Sequence, residues 1–292
     1  MHQEQDFKSL IGKPAFDEDN SRRNFIQTAV GVGFAAAALP VCAQTIVTTD
    51  TQGLTAGVVM LNIDGQQVPM YRAQPEGKTN LPVVLVISEI FGVHEHIADV
   101  ARRFAKQGYM ALAADYFVRQ GDAGKFTNIS ELIKEVISKV PDEQVMKDID
   151  AVVAWAKANG GNTDKMAVTG FCWGGRITWM YAAHNPKVKA GVAWYGGLRG
   201  EQNALKPTHP LQIAAGLKVP VLGLYAAKDG GIPLDSVEQM KVELAKGNSK
   251  SEFIVYPNSV HGFHADYRPS YNEVDAKDGW QRCLAWFKAN LG

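Results

Sequence analysis

The stretch AVTGFCWGGRITW, residues 167–179, decides the fold. An apolar run of strand length meets Gly170-Phe171-Cys172-Trp173-Gly174-Gly175, and an amphipathic run follows at once. This is the strand–turn–helix signature G-x-S-x-G with sulfur in place of oxygen. Flanking glycines suit a bend so tight that strand and helix backbones approach too closely for Cβ atoms. A cysteine there sits at a helix N-terminus, where the positive end of the helix dipole favours thiolate. The alternative for Cys172 is a buried structural thiol, the common fate of that residue type. Cys283 fits that alternative: it lies at helical spacing with Trp280, Leu284 and Phe287.

Outward from this bend the pattern alternates. Apolar runs of strand length occur at 83–88, 110–114, 165–169, 190–195, 219–225 and 252–256. Helical runs are expected at 97–107, 130–139, 142–158, 173–184, 236–246 and 276–290. Asp64-Gly65 between alternating apolar segments reads as a hairpin turn ahead of them. The alternation predicts an α/β fold, a single domain with a mostly parallel central sheet and helices on both faces. The segment 116–141 is longer than a crossover needs and is expected to cover one end of the sheet.

The chain has 292 residues, 30 Lys+Arg, 30 Asp+Glu and a net charge of zero, which argues against nucleic acid as a partner. Its three cysteines, Cys42, Cys172 and Cys283, show neither a CxxC pair nor zinc-type spacing. The first 43 residues differ from the rest. Ser21-Arg22-Arg23-Asn24-Phe25 precedes a short stretch rich in Ala and Gly, and Val41-Cys42-Ala43 follows. Two arginines, a short apolar region and a small-residue cleavage site describe a twin-arginine export signal. About twelve mild residues cannot cross ~30 Å of hydrocarbon, so no stable membrane anchor is expected. Lipidation of Cys42 is disfavoured because Val41 stands where a small residue is required. The expected division is therefore a signal peptide at 1–43, read by the twin-arginine machinery, and one domain at 44–292, delivered to the periplasm as a monomer. Without the signal the chain has 26 Lys+Arg and 25 Asp+Glu.

A nucleophile at Cys172 needs a base and an orienting acid, which follow it in the order acid, then histidine. Asp229 stands just past the strand 219–225. Asp235 competes for the role, although its place before a helical run suits an N-cap. After the strand 252–256, His261 lies nearer the strand end than its competitor His264. His94, His96, His184 and His209 read as surface or supporting residues. Glu89 closes the apolar run at the same edge of the sheet, and a carboxylate there needs a partner or solvent. His94-Glu95-His96 invites a metal reading, but histidines two apart on a helix diverge and no third ligand is evident. No metal and no cofactor are expected.

The segments SEIFGVHEHI, GYMALAADYF, GFCWGGRI, AAKDGGIP and YPNSVHGF, in that order, resemble the dienelactone hydrolase family of α/β-hydrolases over nearly all of the domain. The resemblance implies Cys172 as nucleophile, His261 as general base and Asp229 as its orienter. It further implies a resting contact between Glu89 and the thiol, and an oxyanion hole formed by the backbone N–H groups of Ile90 and Trp173. One departure stands out: the family's carboxylate-binding arginine, four residues after the histidine, is here Ala265, with Arg268 three residues on. Arg119 and Arg176 are the candidates to supply that cation, and Tyr195 is a further candidate substrate contact. The implied activity is opening of a small enol-lactone through a thioester. The alternatives are a carboxylesterase or thioesterase acting on neutral substrates, and a binding protein on an inactive scaffold.

Overall fold

The computed structural model describes Val47–Gly292; the expected signal peptide lies outside the described residues. Fifteen principal elements follow one another, beginning with β1 (Leu54–Ile63), β2 (Gln66–Pro75), β3 (Leu81–Ile87), α1 (Glu95–Lys106) and β4 (Met110–Ala114). Next come α2 (Ile129–Glu135), α3 (Asp142–Ala158), β5 (Gly161–Phe171), α4 (Trp173–His184) and β6 (Ala190–Trp194). The chain closes with α5 (Pro210–Ile213), β7 (Val221–Ala226), α6 (Leu234–Leu244), β8 (Glu252–Tyr256) and α7 (Glu273–Leu291). The eight strands form one sheet in the order β1-β2-β4-β3-β5-β6-β7-β8. β1 pairs antiparallel with β2, and β2 antiparallel with β4. Every other pairing is parallel.

Burial follows from this order. Val83–Ile87 in β3 and all of β4, β6 and β7 are buried, because helices cover both faces of the central sheet. The hairpin at one edge keeps a wet face, so β1 alternates exposed and covered residues. Asp64 takes a positive φ in its turn, as expected for a two-residue hairpin connection.

Two local expectations are corrected. The helix expected at 130–139 starts at Ile129, with the Asn128 side chain accepting from Ser130 N and Glu131 N, and stops after Glu135. Buried Val136 leaves helical geometry, and a 3₁₀ turn at Ile137–Lys139 replaces the last part. Asp235 is not an N-cap: Pro233 caps α6, and Asp235 sits in the first turn paired with Arg199. Short α5, opened by a proline at its start, was not anticipated. Within 116–141, Tyr116, Phe117, Leu132, Val136 and Val140 are buried, and the Phe117 ring meets that of Trp173 edge-on at 4.7 Å. The segment thus packs beside the start of α4, at the carboxyl end of the sheet.

Candidate active site

Cys172 joins β5 to α4 as the N-cap of the helix, with φ 55° and ψ −114°. A non-glycine residue in that region carries strain of about 1–3 kcal/mol, which the surroundings must hold. They do so from both sides: Cys172 N donates to Trp194 O at 3.0 Å, and Cys172 O accepts from Gly175 N at 3.0 Å and Arg176 N at 3.2 Å. The flanking glycines are needed for space. A Cβ on Gly170 would lie 2.2 Å from Gly174 O, and one on Gly174 would lie 2.3 Å from Ile87 O. Cys172 remains partly exposed, whereas Cys283 is fully buried, in the core.

The loops after β7 and β8 bring Asp229 and His261 together. Asp229 Oδ1 accepts from Gly231 N at 2.9 Å and Ile232 N at 3.1 Å, which orients Oδ2 at 2.7 Å from His261 Nδ1. The acid is buried, while the histidine ring is 20% exposed. Burial works against charge on this ring. The adjacent Cys172 and Asp229 outweigh it and raise the imidazolium well above the usual histidine range. Tyr195, at a positive φ of 36°, lays its ring edge-on against His261 at 5.1 Å. The competitors lie elsewhere. His264 is buried against Phe171 at 4.9 Å and Trp194 at 4.5 Å, and burial drives its pKa well below the histidine range. Asp235 is a surface ion-pair partner.

Glu89 is buried, so the solvated strand-end alternative fails. Its Oε2 accepts from the Tyr267 hydroxyl at 2.6 Å and from Arg268 Nη2 at 2.9 Å. Burial disfavours its charge, but the guanidinium and the hydroxyl overcome this and hold the carboxyl below its ordinary range. Arg268 is buried as well, its guanidinium 4.8 Å from the Phe91 ring. Glu89, Arg268, Tyr267 and Cys172 all lie near enough to act on the Tyr195 phenol, whose pKa burial and then Glu89 push up. Among the hydrogen bonds of the described residues, Glu89 bonds to this pair and not to the thiol. The N–H groups of Ile90 and Trp173 donate to no acceptor among the described residues.

Two predicted cations do not join this group. Arg119 Nη1 is 2.5 Å from Asp148, and Nη2 bonds to Ile63 O. Arg176 makes a two-pronged bond to Asp142 at 2.8 and 2.6 Å and also reaches Thr208 O and His209. Each neutralises a carboxylate within the fold. Of the histidines expected at the surface or in supporting places, His184 is exposed, and His94, His96 and His209 are buried in supporting positions. His94 and His96 do not diverge: His94 is the extended N-cap of α1, so helical spacing does not apply, and their rings stack at 6.1 Å. Among the described residues no cluster of three metal-ligating side chains occurs. Tyr267 and Arg268 were missed as site residues. Their signal was the run His264-Ala265-Asp266-Tyr267-Arg268, a dense set of polar groups in the loop after His261.

A partly exposed thiol at a strained bend, a histidine oriented by an acid, and two open amides together suit attack on a carbonyl carbon. The family model of the dienelactone hydrolases matches residues 68–291. A protein of Methylorubrum extorquens AM1 named carboxymethylenebutenolidase is 52% identical over 284 residues, covering 97% of this chain and 96% of that one. One of the same name in Escherichia coli K12 is 51% identical, covering 88% and 94%. A crystal structure described as a dienelactone hydrolase of Klebsiella pneumoniae superposes with a TM-score of 0.79 at 52% identity, over 80% of this chain and 98% of that one. The chain is therefore a hydrolase that belongs to the dienelactone hydrolase family.

Proposed function

We propose that this hydrolase uses Cys172 as its nucleophile and opens enol-lactones of the dienelactone type through a thioester. The observation that carries the reading is the pairing of Asp229 with His261 at 2.7 Å beside a cysteine held at φ 55°. Glu89, bonded through Oε2 to Tyr267 and Arg268, offers Oε1, unpartnered among the described residues, to the thiol in the resting enzyme. Bound substrate displaces it, His261 takes the thiol proton, and the thiolate attacks the lactone carbonyl. The oxyanion is held by the N–H groups of Ile90 and Trp173, of which each donor typically contributes ~3–4 kcal/mol. Collapse cleaves the ring C–O bond, the leaving enolate oxygen takes the proton from His261, and an acyl thioester remains. His261 then takes a proton from water, hydroxide attacks the thioester carbonyl, and the acid and the free thiol are released. Arg268, placed against Glu89 and Phe91, supplies the cation that Ala265 cannot. Tyr195 contacts the substrate beside His261.

One observation favours the second reading, hydrolysis of neutral esters or thioesters by the same residues. Arg119, Arg176 and Arg268 are each already paired with a carboxylate. Hydrolysis of a cis-dienelactone and of p-nitrophenyl acetate, with Cys172→Ala beside the parent, separates the readings. Lactone opening that the variant loses supports the first. Turnover of the neutral ester alone supports the second, and full activity in Cys172→Ala removes the cysteine mechanism.

The proposal extends to location: residues 1–43 direct export through the twin-arginine machinery, cleavage follows Ala43, and a monomer is released to the periplasm. No described helix is long and apolar enough to cross a membrane. An Arg22→Lys/Arg23→Lys chain that still reaches the periplasm would sink the export assignment.

A further inference from the structure

The carboxylate of Glu89 is occupied unevenly. Oε2 receives two donors, at 2.6 and 2.9 Å. Oε1 is buried and has no partner among the described residues. An unpaired buried acceptor costs free energy unless a donor arrives to use it. The first of the two donors, the Tyr267 hydroxyl, has a second neighbour: His94 Nε2 lies 3.5 Å from it and 4.0 Å from Glu89 Oε2.

His94 is fixed in this position. It is buried, caps α1, stacks on His96 at 6.1 Å and meets the Tyr267 ring edge-on at 5.0 Å. Burial first, then the neighbouring His96, push its pKa to about 3, so the ring is neutral and carries one N–H. His94 Nδ1 is buried with no partner among the described residues. A proton on Nδ1 would be a buried donor with no acceptor. A proton on Nε2 points toward the Tyr267 oxygen and leaves Nδ1 as an under-used acceptor, the cheaper of the two states. The Nε2–H tautomer is therefore selected, and three groups form a chain: His94 donates to Tyr267, and Tyr267 donates to Glu89. Donor chains of this kind strengthen their terminal bond.

We propose that Tyr267 and His94 are positioning residues that act through Glu89, occupying Oε2 together with Arg268 and leaving Oε1 as the one open acceptor of the carboxylate. The inference rests on the reading of Glu89 as the resting partner of the Cys172 thiol, since an oxygen kept open and anionic is what that contact requires. The charged and titratable groups facing Glu89 are Arg268, His94, Tyr267, His96 and Tyr195. Those facing His94 also include Asp266. Tyr267→Phe removes a single hydroxyl from this set and leaves the Arg268 ion pair in place.

The test is isotope-edited infrared titration of the mature protein, with its glutamate carboxyls labelled and Glu89→Gln as the subtraction. It reads protonation of Glu89 without any substrate. Loss of a donor to the charged form raises the titration of Glu89 in Tyr267→Phe by about one pH unit. His94→Phe produces a smaller rise, whereas His94→Gln, which keeps a donor nitrogen, titrates with the parent. Thermal melting confirms that each variant is folded. Unchanged titration in folded Tyr267→Phe overturns the chain, and equal shifts in His94→Gln and His94→Phe overturn the role of His94. Failure to hydrolyse any lactone or ester would defeat the proposed function separately, because the titration does not depend on turnover.

Discussion

Gly174→Ala tests the idea that close backbone contact sets the position of the reacting cysteine. The added methyl would lie 2.3 Å from Ile87 O and 2.5 Å from Ser88 O. Ordinary contact between carbon and oxygen then requires something to move by about 1 Å, since packed atoms leave no spare room. The strand cannot supply that movement, because β3 is buried and hydrogen-bonded between β4 and β5. The first turn of α4 must shift instead, carrying Cys172 and the Trp173 N–H away from the Ile90 N–H. Overpacking costs about 1–3 kcal/mol, and replacing a helical glycine returns at most ~1 kcal/mol. A net loss of about 2 kcal/mol lowers the melting temperature of a domain this size by roughly 4–8 °C. A 1 Å misplacement near the reacting atoms lowers turnover by about 10²-fold. Calorimetry and p-nitrophenyl acetate hydrolysis read the two effects. Gly216→Ala is the control, because nothing lies within 4 Å of a Cβ there. Parent-like melting and activity in Gly174→Ala, with the control also unchanged, would refute the argument.

Three further outcomes follow from the site. Asp229→Asn removes a partner that helps raise the His261 pKa in the fold. Stabilisation from a raised histidine is fully present below its unfolded pKa of ~6.5 and disappears as pH rises through the folded value. The stability gap between parent and variant should thus be widest below about pH 6.5 and narrow at higher pH; a gap that widens with pH would contradict the pairing. Arg268→Met strands Glu89 as a buried charge and should cost about 3–5 kcal/mol by denaturant unfolding, of which Glu89→Gln/Arg268→Met regains a substantial part. No recovery in the double variant would show that the arginine acts through packing alone. Native iodoacetamide labelling, followed by mass spectrometry, should modify Cys172 and spare Cys283, whose thiol burial pushes well above the usual cysteine range. Equal labelling would mean the core around Cys283 opens.

Much of this protein is readable from local pattern. Buried runs such as 83–87 are rich in β-branched residues because both faces of those strands are covered. The Gly-Phe-Cys-Trp-Gly bend is legible because only glycines tolerate the contacts it makes. Asp229 and His261 could be placed because an α/β sheet collects the ends of its parallel strands at one edge. Their order along the chain therefore maps onto position in space.

What pattern could not supply was the set of partners reached across the sheet. Arg119 and Arg176 carried the right charge for a substrate carboxylate, yet each is consumed by an acid, Asp148 and Asp142, that local sequence does not point to. Arg268 met Glu89 across a separation of 179 residues, and Tyr267 joined them from the same loop. His94 and His96 stack because a cap residue leaves helical geometry, which their spacing alone conceals. By itself the sequence determined the sheet, its crossovers and the bend at Cys172, because these depend on backbone sterics and the periodicity of burial over a few residues. Only the tertiary structure decided which arginine pairs with which acid, because each buried charge must find its counterion wherever the packed chain brings one within reach.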